Sequence, residues 1–137
     1  MLNEGPDRFR SGPSRISGRR MFSEALQRFV EETGAQLAIF CDYEGEAIGQ
    51  ASAGPDDFEV KLTGAQLGAV TAELQRLARA YGQEERASYS FATGTTTLLV
   101  EALPGNYYLV AAVADPARVP CARWHLAAVA RRFEAEL

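Results

Sequence analysis

The sequence predicts an α+β domain: a five-stranded, mainly antiparallel sheet of order 2-1-5-4-3, with one long helix on one face and two helices on the other. Three observations lead there. Apolar periodicity switches along the chain in the order helix, strand, strand, helix, strand, strand, strand, helix. The first and last strand segments, LAIFC and YYLVAAVA, are apolar on both faces, so both must be covered above and below and lie mid-sheet. Turn residues join strand 2 to strand 1, and strand 4 to strands 3 and 5, as hairpins, which leaves strand 3 at the far edge. The 1–5 pair is the one contact for which a parallel alignment stays open.

The 137 residues suit one domain, and 47% hydrophobic residues supply a core. Residues 1–20 hold five Arg and two acids, giving +3; the remainder holds nine basic and sixteen acidic residues, giving −7, and the two sum to the net −4. An acidic body of this kind argues against a nucleic-acid partner, because phosphate binding needs clustered Lys and Arg. Residues 1–18, rich in Gly, Pro, Ser and Arg, read as a flexible arm, and 19–137 as the folded domain. The arm is either a solvated tail or a contact for an acidic partner or an anionic surface. No apolar run reaches the roughly 20 residues of a membrane span, and the N-terminus has no secretory pattern, so the expected location is cytoplasmic. Cys41 and Cys121 are read as two buried thiols rather than a disulfide.

Each element has its own signal. In MFSEALQRFVEETG, Phe22, Ala25, Leu26, Phe29 and Val30 share one helical face, and Gly34 is the stop. In LAIFC, Leu37, Ile39 and Cys41 point one way, Ala38 and Phe40 the other. EAIGQAS is its hairpin partner, joined by Asp42-Tyr43-Glu44-Gly45. The longest helix, 57–81, carries Thr63, Leu67, Val70, Leu74, Leu77 and Tyr81 as an apolar stripe. ERASYSFA alternates, with Ala87, Tyr89 and Phe91 against Arg86, Ser88 and Ser90, as a half-exposed strand does. TTTLLVEAL and YYLVAAVA follow, separated by Pro104-Gly105-Asn106. Asp115-Pro116 opens the last helix, whose inward stripe is Val119, Ala122, Leu126, Val129, Phe133 and Leu137.

Catalytic chemistry finds little purchase. Asp42, Glu44 and Glu46 occupy turn positions that favour such residues for backbone reasons, without the partners that acid–base catalysis or a metal would need. FATGTTTLL has the glycine and hydroxyls of a phosphate loop but no lysine. His125 is the single histidine, read as a surface or rim residue; Cys121 and His125 stand one turn apart without an orienting third group. The expectation is therefore no enzyme, no cofactor and no metal.

Two features point outward instead. Gly64 and Gly68, beside Thr71, each cost about 0.8–1 kcal/mol relative to Ala inside a helix. Either a second helix approaches them, or a bulky strand residue packs over them within the subunit. The strand of Tyr89 and Phe91 is an edge with no proline and no inward charge to blunt it. Pairing that edge and the small-residue helix face with a second copy gives a two-fold homodimer with Gly64, Leu67, Gly68, Thr71, Ala87, Tyr89 and Phe91 at its interface. Trp124 falls off the inward stripe of the last helix, and either packs on the first helix or anchors a partner.

The order of elements, the LAIFCDYEGEAIGQAS hairpin and the long helix before SYSFATGTTTLLVEAL together resemble the Roadblock family, over residues 20–137. The family includes the roadblock-type dynein light chains, the Ragulator scaffold subunits and the bacterial partners of Ras-like GTPases. The resemblance implies a profilin-like, non-enzymatic homodimer paired through its second helix and third strand. It also implies a platform for a small Ras-like GTPase, whose GTP hydrolysis some bacterial members stimulate. Gln66, Glu73, Arg76 and Arg79, off the apolar stripe, with Trp124, are then the candidate partner contacts. Two other readings stand beside this one: a small-molecule sensor of profilin-like or PAS-like type, with a pocket between sheet and helices, and an assembly adaptor that heterodimerises without touching a GTPase.

Overall fold

The computed structural model describes residues 12–82 and 87–137. Three α-helices, α1 (Gly12–Thr33), α2 (Asp57–Ala80) and α3 (Val119–Glu134), surround five strands: β1 (Leu37–Cys41), β2 (Ala47–Ser52), β3 (Ala87–Ala92), β4 (Thr97–Leu103) and β5 (Tyr107–Val113). The sheet order is β2-β1-β5-β4-β3, as the patterning predicts. Every pair is antiparallel, including β1 with β5, where Leu37 faces Ala112 and Cys41 faces Tyr108. The parallel alternative for that pair is thus corrected. The reason is topological: α2 carries the chain back so that β3 restarts in the direction of β2, and two hairpins then leave β5 opposed to β1.

Period-two alternation in the central strands feeds two cores. Ala38, Phe40, Leu99, Leu103, Leu109 and Val113 meet α1 and α3 on one face. Phe22, Phe40 and Phe133 form its centre, with ring centroids 4.6–4.9 Å apart. Leu37, Ile39, Cys41, Val100, Tyr108 and Val110 meet α2 on the other face. All five residues expected inward on α1 are buried, and Gly34 ends that helix at φ 77°. Helix α1 begins at Gly12, so residues 12–18, expected as arm, are helical; residues 1–11 of the arm, and Arg86, lie outside the described residues.

Two turns follow their side chains. Asp42 Oδ1 accepts from the Glu44 and Glu46 amides at 2.9 and 3.0 Å, and Gly45 takes φ 83°. Asp115 accepts from the Ala117 amide at 3.0 Å and so caps a short 3-10 turn, Pro116–Arg118, ahead of α3 rather than α3 itself. On α3, Ala122, Leu126, Ala130 and Phe133 are buried, whereas Leu137 is exposed. Cys121 is also exposed, which corrects the reading of two buried thiols: it lies on the far side of α3 from Leu126.

Candidate interaction surface

Helix α2 positions the site. Its start is fixed by a reciprocal cap: Asp56 Oδ1 accepts from the Glu59 amide at 2.9 Å, and Glu59 Oε1 from the Asp56 amide at 3.1 Å. Its buried face is Val60, Gly64, Thr71 and Gln75. A Cβ at Gly64 would lie 2.8 Å from Ile39 Cδ1 and 2.9 Å from Cys41 Sγ; one at Gly68 would lie 2.7 Å from the Tyr108 hydroxyl. The Tyr108 hydroxyl donates to the Gly64 carbonyl oxygen at 2.9 Å. The glycines therefore let α2 settle on the bulky residues of β1 and β5. Of the two readings of this small-residue face, strand residues packing over it within the subunit is the one the structure displays for Gly64 and Gly68, with Thr71 buried on the same side.

The apolar stripe lies elsewhere. At about 100° per residue, Leu67, Val70, Leu74, Leu77 and Tyr81 run along one flank of α2, roughly a quarter-turn from its buried face. Leu67 and Leu74 are half-buried, Val70 and Leu77 are exposed, and Tyr81 is 75% exposed. Leu67 packs in the same cluster as Tyr89, Phe91 and Leu98. The flank thus continues onto the α2-facing side of β3 and β4, where Ala87, Tyr89 and Phe91 are half-buried. The Tyr89 hydroxyl donates to Gln75 Oε1 at 2.7 Å and joins the two elements. Burial pushes the Tyr89 phenol above its usual range, with Arg79 pulling the other way.

The two sheet edges differ. On β2, Arg19 Nη1 donates to the Ala47 carbonyl oxygen at 3.0 Å, and the Gln50 amide donates to Ser23 Oγ at 3.3 Å, so α1 covers that edge. β3 pairs only with β4 among the described residues. One further group stands on the opposite side of β3 and β4: the buried Glu101, to which Ser88 Oγ donates at 2.5 Å.

The polar candidates do not form one patch. Gln66, Glu73 and Arg76 share the outward side of α2, with Glu73 and Arg76 ion-paired and both well exposed. Arg79 lies round the helix, at a cavity of about 210 Å³ with Tyr43, Thr71, Gln75 and Tyr107. Trp124 is 68% exposed on α3, its ring edge-on to His125 at 5.2 Å, so it does not pack on α1. Sequence reasoning missed Phe58 and Leu62, both exposed on the outward side of α2. Their signal was present: Phe58, Leu62, Ala65 and Ala69 form a second helical row.

A cleft of about 630 Å³ lies at the end of the β1–β2 hairpin, lined by Arg19, Phe22, Asp42, Glu46, Ile48 and Tyr107. On the α2 face of the sheet Cys41 is buried, and its thiol is pushed up to about 11, chiefly by burial. Among the described residues, no group of three His, Cys, Asp or Glu could hold a metal ion, and no helix is long and apolar enough to cross a membrane.

Solved structures share this arrangement. MglB of Myxococcus xanthus superposes with a TM-score of 0.74 at 13% identity, covering 84% of this chain and 93% of that one. A Roadblock/LC7 domain of Streptomyces avermitilis superposes at 0.66 and 10% identity, covering 83% and 95%. The chain has the Roadblock/LC7 fold. The gliding protein MglB of Thermus thermophilus also carries that fold, with a TM-score of 0.66, 20% identity, and coverage of 94% and 99%. No protein-family model matches the sequence, and no curated protein does. In this Roadblock/LC7 fold, the flank of α2 and the edge of β3 form one continuous apolar margin on the same face of the sheet.

Proposed function

We propose that this chain is a non-enzymatic, Roadblock-type homodimer that acts in the cytoplasm as a scaffold or regulator of a small Ras-like GTPase. One observation carries the reading: the apolar flank of α2 runs onto the side of β3 whose edge is open. Pairing β3 with its own copy extends the sheet, and the same two-fold axis brings the flanks of two α2 helices together. Leu67, Val70, Leu74 and Leu77 supply the apolar contact, with Ala87, Tyr89 and Phe91 beside them. The outward side of the paired helices, with Gln66, Glu73 and Arg76, is then the GTPase platform that the resemblance to the Roadblock family implies.

The test is a pull-down of the host's Ras-like GTPases in GDP and GTP states, followed by single-turnover GTP hydrolysis with and without this protein. Binding that is lost on the double change Glu73→Arg and Arg76→Glu supports the platform. Undiminished binding by that variant would refute it. Faster hydrolysis identifies a regulator; binding without acceleration identifies a scaffold.

A further inference from the structure

Helix α3 presents a surface that the proposed dimer and platform leave unused. Beyond residue 20 the chain carries nine basic and sixteen acidic residues, yet Arg123, Arg131 and Arg132 all lie on this one helix, exposed. Among the described residues, none of the three is in an ion pair. Trp124, 68% exposed, shares its outward side with Arg131 two turns further along, while Arg123 and Arg132 lie about 100° and 80° round the helix to either side, Arg123 beside Ser88 and Glu101 of the sheet. A large aromatic ring with the Arg131 guanidinium on the same side, and Arg132 on its flank, fits an acidic segment that carries an apolar anchor of its own.

The molecule has such a segment. At the start of α2, Asp56, Asp57 and Glu59 are all exposed around Phe58, which is 73% exposed. Helix α2 covers one face of the sheet and α3 the other, so the two surfaces of one subunit cannot meet. They can meet only between copies. Residues 56–59 precede Leu67, the first residue of the flank assigned to the two-fold dimer, by about two turns of α2.

We infer that the Trp124 face of α3 receives the Phe58 end of α2 from another copy of this chain, in a head-to-tail contact that links subunits into open chains. Because two different patches meet, the contact does not close on itself. It is weak: aromatic anchors that bury about 150–250 Å² each fall well short of the roughly 1,200 Å² of a stable interface. Its charged rim makes it sensitive to salt.

Sedimentation of the full chain across a concentration series tests this. At low salt the average mass rises with concentration beyond the basal species, and raised salt abolishes the rise. Two variants separate the surfaces: Trp124→Ala with Arg131→Glu, and Phe58→Ala with Asp57→Lys. Each alone stays at the basal species, and both keep native circular dichroism. Mixed, they associate again, because each supplies the surface that the other lacks. A wild-type mass that does not rise, a variant that still associates alone, or a mixture that does not recover would each overturn the contact. The first result would leave Trp124 to a different molecule. Whether the basal species is one subunit or two does not enter the readout, so failure here is distinct from failure of the proposed dimer.

Discussion

The Tyr89 hydroxyl donates to Gln75 Oε1 at 2.7 Å, tying the open edge strand to the buried face of α2. This bond links the helix and the strand that together form the candidate interface. Gln75 is only 3% exposed, so the bond is shielded from water. Tyr89→Phe removes the donor and keeps the ring. It is expected to lower stability by about 0.5–1.5 kcal/mol. Urea unfolding at one fixed protein concentration measures it; an unchanged midpoint would mean the bond holds nothing.

Gly64→Ala places a methyl 2.8 Å from Ile39 Cδ1 and 2.9 Å from Cys41 Sγ, both fully buried. Overpacking of this kind costs about 1–3 kcal/mol. The better helix propensity of Ala returns about 1 kcal/mol. The net expectation is destabilisation, and Ile39→Val in the same chain should recover part of it. The double-mutant cycle should show coupling, which two independent sites would lack.

The two cysteines should separate cleanly. Cys121 is exposed, and a thiol reagent is expected to label it rapidly in the native protein. Cys41 is raised from 9.0 to about 11, first by burial, with the Tyr108 hydrogen bond opposing and Asp42 adding. It should react only after unfolding. Burial, and then Cys41 itself, also push the Tyr108 phenol up. The folded state holds these protons more tightly than the unfolded chain does. Stability should therefore be full below about pH 9 and fall as pH rises towards 11. Thermal unfolding from pH 7 to 11 would show a falling Tm above 9; a flat profile would contradict it.

The fold was legible because strands apolar on both faces can sit only mid-sheet, and LAIFC and YYLVAAV do so. The direction of β5 was not legible, because hydrophobic alternation is the same in either sense. The site was half legible. Helical spacing found the Leu67–Leu74–Leu77 row but could not say which side of α2 met the sheet. An apolar row normally marks the buried side of a helix; here Gly64 and Gly68 do, because small residues allow the closest approach to Ile39 and Tyr108. Trp124 was visible as a residue off the stripe, while its exposure depends on where α1 lies.

Leu74→Glu with Leu77→Glu should break the proposed dimer without unfolding the subunit. Leu77 is 56% exposed in the single chain and Leu74 is half-buried, so the subunit should lose only about 1 kcal/mol and stay folded. Two charges buried at a two-fold axis meet their own copies, and association is lost. Size-exclusion chromatography with light scattering should find this variant at the mass of one chain, with unchanged circular dichroism. A variant that remains paired would move the interface off the α2 flank.

The most direct measurement is sedimentation equilibrium of the wild-type protein in about 0.5 M salt, where contacts held by surface charge are screened. The proposed pairing predicts a species of twice the 14.9 kDa chain mass, down to low micromolar concentration. A folded species of 14.9 kDa at roughly 100 μM, above the range of a standard-size interface, would contradict the pairing of α2 and β3 between copies.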